Sequence, residues 1–207
     1  MEIINKYFPQ LSAQQHYRFS RLGEIYKFWN NQINLISRKD IDHLYEHHIL
    51  HSLAIAKFIR FASQTTILDV GTGGGFPGIP LAILFEDCNF TLIDSTGKKI
   101  KAVNAIIEQL GLSNANAQQV RSNEYKQQFD FVISRAVSSF PEFVGLTRHN
   151  VGKGGNNALP NGIIYLKGGN LETEIEPFKH DSELISISDF FNEPYFETKK
   201  IVYLPVY

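Results

Sequence analysis

An α/β fold, a mostly parallel sheet with helices on both faces, is predicted by three features of this 207-residue chain. From Thr65 onward, short apolar runs alternate with amphipathic helical patterns, which is how parallel strands joined by crossover helices are written. The first run, Ile67-Leu68-Asp69-Val70, opens into a glycine-rich turn that extends to Pro80. Near the end, Leu184 to Ile187 and Lys199 to Val206 read as strands that pair antiparallel at one edge.

Residues 1–62 precede this pattern and read as an N-terminal helical extension, leaving 63–207 as the α/β domain. Phe19, Leu22, Ile25, Tyr26 and Trp29 fall at helical spacing. A second helix is expected from Asp40, a suitable cap, through Leu44, Leu50, Leu53, Ile55 and Phe58. Asn30 to Arg38 would connect the two. After the glycine turn a helix is expected through Leu81, Ile83 and Leu84, followed by the strand Phe90 to Asp94. The next helix carries Ile100, Val103, Ile106, Ile107 and Leu110 and stops at Gly111. Further strands are predicted at Ala117 to Arg121, Phe129 to Ser134 and Gly162 to Lys167, with Gly145 to Asn161 as a mobile loop.

Composition narrows the functional classes. A hydrophobic fraction of 43% and a charged fraction of 20% are ordinary for a globular protein. No apolar run approaches the ~20 residues of a membrane helix, and the N-terminus lacks a secretory pattern. The one cysteine, Cys88, excludes an internal disulfide, so a reducing cytoplasm is expected. A net charge of −1 gives no global attraction to nucleic acid, so an RNA partner would need a local patch.

The chemistry centres on the turn that begins at Asp69. Gly73, Gly75 and Gly78 match the G-x-G-x-x-G fingerprint of dinucleotide sites, a weak signal in so glycine-rich a stretch. Asp69, two residues before Gly71, argues against a pyrophosphate there. S-adenosylmethionine has no phosphate and carries a cationic amino group and sulfonium. Asp69 would serve it by direct contact or by bonding the loop backbone. Asp94 ends the next strand, 19 residues beyond Gly75, where a carboxylate can accept from both ribose hydroxyls.

Leu68-Asp69-Val70-Gly71-Thr72-Gly73-Gly74-Gly75-Phe76-Pro77-Gly78-Ile79-Pro80-Leu81-Ala82 resembles the signature of the small-subunit ribosomal RNA methyltransferase G family, also called glucose-inhibited division protein B. Leu92-Ile93-Asp94-Ser95, Val132-Ile133-Ser134-Arg135-Ala136 and Leu166-Lys167-Gly168 match in order, as do Trp29-Asn30 and His48-Ile49-Leu50 upstream. The resemblance covers about residues 24 to 170. It implies a class I (Rossmann-like) S-adenosylmethionine-dependent methyltransferase that acts on guanine N7 in 16S rRNA or the small ribosomal subunit. Carried over by motif position, Gly71 and Phe76 line the donor pocket. Asp94, Ser95 and Thr96 lie at the ribose, Ser122 and Asn123 flank the adenine, and Arg135 faces the substrate. The family commonly has a glutamate where this chain has Asn123, and an aspartate where it has His51.

Guanine N7 is a free acceptor with no proton to lose, so its methylation requires alignment rather than a general base. Arg135 and Lys167 follow strands and are expected to position the substrate, with Lys98, Lys99, Lys101, Arg148 and Lys153 as a basic rim. Cys88 lies just before the second strand, away from the carboxyl ends of strands where a thiol nucleophile would act, and no N-P-P-Y motif of exocyclic-amine methyltransferases is present. His43, His47 and His51 share one helical face but lack partners for zinc, so no metal is expected and the face reads as polar or RNA-contacting. Phe190-Phe191 and Tyr195-Phe196 read as packing at the sheet edge. A monomer is expected. Other methyl acceptors, a dinucleotide oxidoreductase, and a non-catalytic RNA-binding relative remain as alternatives.

Overall fold

A computed structural model describes all residues from Met1 to Tyr207. Its centre is a seven-stranded sheet in the order β3-β2-β1-β4-β5-β7-β6. The strands are β1 (Thr66–Val70), β2 (Asn89–Asp94), β3 (Ala115–Gln119), β4 (Phe131–Arg135), β5 (Gly162–Gly168), β6 (Glu183–Ser186) and β7 (Lys199–Pro205). β1 to β5 run parallel, and β7 is antiparallel to both β5 and β6, as the tail pattern predicts. The chain starts at the middle of the sheet with β1, builds outward to β3, then returns to lay β4 against the other side of β1. Ligands of such open sheets bind at this switch point, outside the carboxyl ends of the strands.

The central strands are buried on both faces, hence apolar residues at consecutive positions such as Ile67-Leu68 and Phe131-Val132-Ile133. One core joins Ile67, Phe131 and Ile133 to α4 (Gly78–Leu84), α5 (Gly97–Gln109) and the N-terminal segment. A second core, on the opposite face, joins Leu68, Val132 and Tyr165 to α6 (Phe140–Thr147). Residues 1–62 supply Ile4, Phe19, Leu22, Ile49 and Leu53 to the first of these cores, so the extension and the sheet bury a common surface. Apart from α1 (Glu2–Tyr7), the extension holds α2 (Ala13–Gln32) and α3 (His51–Phe58). A reciprocal cap starts α2: Ser12 Oγ accepts from Gln15 N, and Gln15 Oε1 accepts from Ser12 N.

Three local expectations are corrected. No regular helix begins at Asp40; a 3₁₀ turn at Ile41–His43 leads into a wide π-helical stretch, Leu44–Leu50, before α3. Asp40 caps nothing because its carboxylate is taken by two histidines downstream. The connector starts later than Asn30, since α2 runs on to Gln32 and Asn30 Oδ1 folds back to accept from Leu35 N and Ile36 N. Gly145 to Asn161 is not a loose loop. Its first residues belong to α6, Val151 bridges Phe129, and buried Asn150 donates to the Tyr125 and Gln127 carbonyls. Asn157 and Asn161 tie its far end to Thr65 and Asp130. α6 is only eight residues long and carries a glycine and a proline, which is why its helical pattern does not stand out in the sequence.

Candidate active site

At the end of β1 the chain turns through Gly71 at φ +67°, a backbone conformation that L side chains rarely adopt. A Cβ there would also meet Val137 Cγ1 at 2.4 Å. Asp69 anchors this turn from beneath. Its Oδ2 accepts from Thr72 Oγ1 at 2.6 Å and from Gly78 N at 2.9 Å, joining the start of the turn to the first residue of α4. Fully buried, Asp69 lies outside the ligand space, so of its two proposed roles the structure gives it the loop-bonding one. Burial pushes its carboxyl up to about 7. Gly78 is needed beside it, because a Cβ would stand 2.7 Å from Asp69 Oδ2.

Asp94, at the carboxyl end of β2, holds the neighbouring backbone: Oδ2 accepts from Gly73 N at 3.0 Å and Oδ1 from Thr96 N at 2.8 Å. Each oxygen has a further lone pair to offer. Above these groups lies a cavity of about 540 Å³ lined by Gly71, Gly73, Asp94, Ser95, Ser122 and Asn123, and closed by Val137, Ser138, Phe143 and Leu146. Its size is that of a cofactor site. Its lining combines polar groups, Asp94, Ser95, Ser122 and Asn123, with apolar side chains, Val137, Phe143 and Leu146, a mixture that suits a nucleoside. Backbone and short side chains at the glycine turn leave room for an amino-acid tail. The residues present therefore fit S-adenosylmethionine.

The other expected donor contacts lie elsewhere. Phe76 is 3% exposed and stacked on Tyr26, with centroids 4.9 Å apart, because the core beneath α2 draws its ring inward. Gly75 packs against Ile79 and Tyr26, where a Cβ would stand 2.4 Å from Ile79 Cδ1. Thr96 is exposed at the start of α5 and faces the site only through its N–H to Asp94.

Arg135 ends β4, and its guanidinium turns away from the cavity. Nη1 donates to the His47 carbonyl at 3.2 Å, Nη2 meets His48 Nδ1 at 2.9 Å, and the group lies 5.2 Å from the Phe76 ring centroid. Beside it is a smaller cavity of about 170 Å³, lined by His47, His48, His51, Lys167, Tyr195 and Lys199. Ala136 adopts φ +49°, and the chain alternates sides across this kink. Arg135 and Ala136 line the small cavity, whereas Val137 and Ser138 line the large one. One four-residue segment therefore separates the two spaces.

Lys167 reaches the small cavity, but its ammonium is held by both Glu174 oxygens, at 2.6 and 2.7 Å, and by the Ser138 carbonyl. Tyr195 is not edge packing: its ring stacks on His47 at 3.8 Å and 11°. Phe191 and Phe196, by contrast, are buried as expected. Val137, Ser138 and Tyr195 line the two cavities and Asp40 holds His47 and His48 from outside them, and none of the four reads as a site residue in the sequence. The one available signal was an aspartate followed closely by a histidine-rich stretch. No group of three His, Cys, Asp or Glu side chains is placed to hold a metal ion. A larger groove of about 940 Å³, between α1, the end of α3 and the α4–β2 turn, lies at the amino ends of the strands, remote from this chemistry.

The strand order and a nucleoside-sized cavity over β1 and β2 together define a class I methyltransferase fold. A solved S-adenosylmethionine-dependent methyltransferase from Aquifex aeolicus superposes with a TM-score of 0.57 at 16% identity, over 82% of this chain and 98% of that one. Within that class the chain belongs to the GidB family, rRNA small subunit methyltransferase G, whose profile matches residues 15–198. It is 50% identical to the ribosomal RNA small subunit methyltransferase G of Bacteroides fragilis, over 100% of both chains. It is 52% identical to that of Phocaeicola vulgatus, over 100% of this chain and 99% of the relative.

Proposed function

We propose that this protein transfers the methyl group of S-adenosylmethionine to N7 of a guanine in the 16S rRNA of the small ribosomal subunit. The observation that carries the reading is the pair of cavities divided by Arg135 to Ser138: one is shaped for a nucleoside donor, and the other is rimmed by cationic and aromatic groups. Full-length identity to relatives named for small-subunit rRNA supports the choice of acceptor. When bound, the donor supplies an electrophilic methyl on a sulfonium. Asp94 accepts from the ribose hydroxyls, and the backbone around Ser122 and Asn123 flanks the adenine. Arg135 and the stacked His47 and Tyr195 rings orient the incoming base. No residue need take a proton, because N7 presents a lone pair. The reaction then rests on holding the sulfonium methyl in line with the N7 lone pair and on exclusion of water, so donor and base must meet at the edge the two cavities share beside Arg135 to Ser138. The reading carries with it a cytoplasmic location and a monomeric enzyme; no helix is long and apolar enough to cross a membrane.

The test is to incubate the protein with unmethylated small subunits and S-adenosylmethionine, then cleave the RNA with borohydride and aniline, which cuts at 7-methylguanosine. Donor-dependent scission at one guanine is expected. A product methylated on an exocyclic amine or ring carbon would overturn the N7 assignment.

A further inference from the structure

Arg135 is half-buried, and no carboxylate forms an ion pair with it. Its orientation therefore depends on two neutral acceptors, the His47 carbonyl and His48 Nδ1. Arginine only donates, so Nδ1 must present a lone pair, and the single proton of the neutral imidazole must sit on Nε2. The partner of Nε2 is Asp40 Oδ2. The other oxygen, Oδ1, meets His47 Nδ1 at 2.6 Å, and the His47 ring stacks directly on Tyr195, both rings lining the small cavity. One carboxylate thus orients two rings, one gripping Arg135 and the other forming a wall beside it. His48 is held neutral as this arrangement requires, since burial and the Arg135 charge push it down to about 4.

We propose that Asp40 is a positioning residue for methyl transfer: by fixing His48 as the Nε2–H tautomer, it holds the Arg135 guanidinium at the partition between the two cavities. This rests on reading the small cavity as the acceptor side of the site. Asp40 touches neither cavity, so its loss acts on alignment and leaves donor binding intact. Misplacement of a positioning group by about 1 Å can cost about 100-fold in rate.

The experiment measures kcat, KM for small subunits, and S-adenosylhomocysteine affinity for Asp40→Ala, Asp40→Glu and Arg135→Ala, and for Asp40→Ala combined with Arg135→Ala. A fall in kcat of about 10- to 100-fold is expected for Asp40→Ala, partly restored in Asp40→Glu, with donor affinity within about twofold of wild type. In the Arg135→Ala background, Asp40→Ala should cost little more, because the two act as a unit. Two substitutions at His48 test the chain independently. His48→Asn, whose amide oxygen can replace Nδ1 as acceptor, should retain clearly more activity than His48→Phe. Wild-type kcat in Asp40→Ala, a fully additive loss in the double variant, or equal activity of His48→Asn and His48→Phe would overturn the proposal. Inactivity of the wild-type protein on small subunits would instead overturn the functional reading beneath it.

Discussion

The two cavities beside Arg135 to Ser138 are built from different material. The larger cavity is made mostly of backbone and side chains at the ends of the neighbouring parallel strands β1 to β4, with Phe143 and Leu146 of α6 closing it. The smaller cavity, proposed above as the acceptor side, is made of side chains from the π-helical stretch, from α3, from β4 and β5, and from the segment before β7. His47 and Tyr195, which stack there, stand 148 residues apart. A site of the first kind is fixed by local chain geometry and tolerates few changes at its glycines. A site of the second kind depends on tertiary packing, and its orientation must be maintained by side-chain networks such as the one centred on Asp40.

The sharpest way to separate the two regions is to disable one and ask whether the other survives. Arg135→Ala should lower kcat by about 100-fold while S-adenosylhomocysteine affinity stays within about twofold, measured by steady-state kinetics and calorimetry. Parallel loss of both would show that the cavities form one unit.

A smaller effect concerns stability on the acceptor side. The folded state holds His48 at about 4, below its unfolded value, so the unfolded chain takes up its proton first as pH falls. This contribution is complete above the unfolded pKa and is lost as pH falls toward 4. Asp69, raised to about 7 beneath the donor turn, works in the opposite sense: its contribution is present at low pH and is lost as pH rises through 7. The two regions therefore oppose each other between pH 5 and pH 7, and a comparison of variants isolates one of them. Acidification from pH 7 to pH 5 should cost wild type about 2 kcal/mol more than His48→Phe, measured by urea unfolding at each pH. Equal losses would mean that His48 is not held neutral.

The same contrast explains how much was legible in the sequence. The sheet, its antiparallel edge, the glycine turn and Asp94 follow from local patterns, because strand ends and turns are encoded locally, whereas Ser95, Ser122 and Asn123 are reached only through the family resemblance. Phe76 and Thr96 sit in the right motif but turn the wrong way, since motif position does not specify where a side chain finds its best packing. Asp40 reads as a helix cap in the sequence. Only the fold reveals that its oxygens are engaged by histidines seven and eight residues on. Tyr195 reads as packing beside Phe196, and only β7's return across the sheet brings it to His47.

The most direct measurement is calorimetric titration of S-adenosylhomocysteine, beside NADH, into wild-type protein and Asp94→Ala. Tight binding of the former is expected, with no comparable NADH binding. Removing the carboxylate that faces the ribose should weaken it about tenfold or more, the cost of losing hydrogen bonds to a charged group. A preference for NADH, or undiminished binding in Asp94→Ala, would contradict the assignment of the cavity over β1 and β2 as the methyl-donor site.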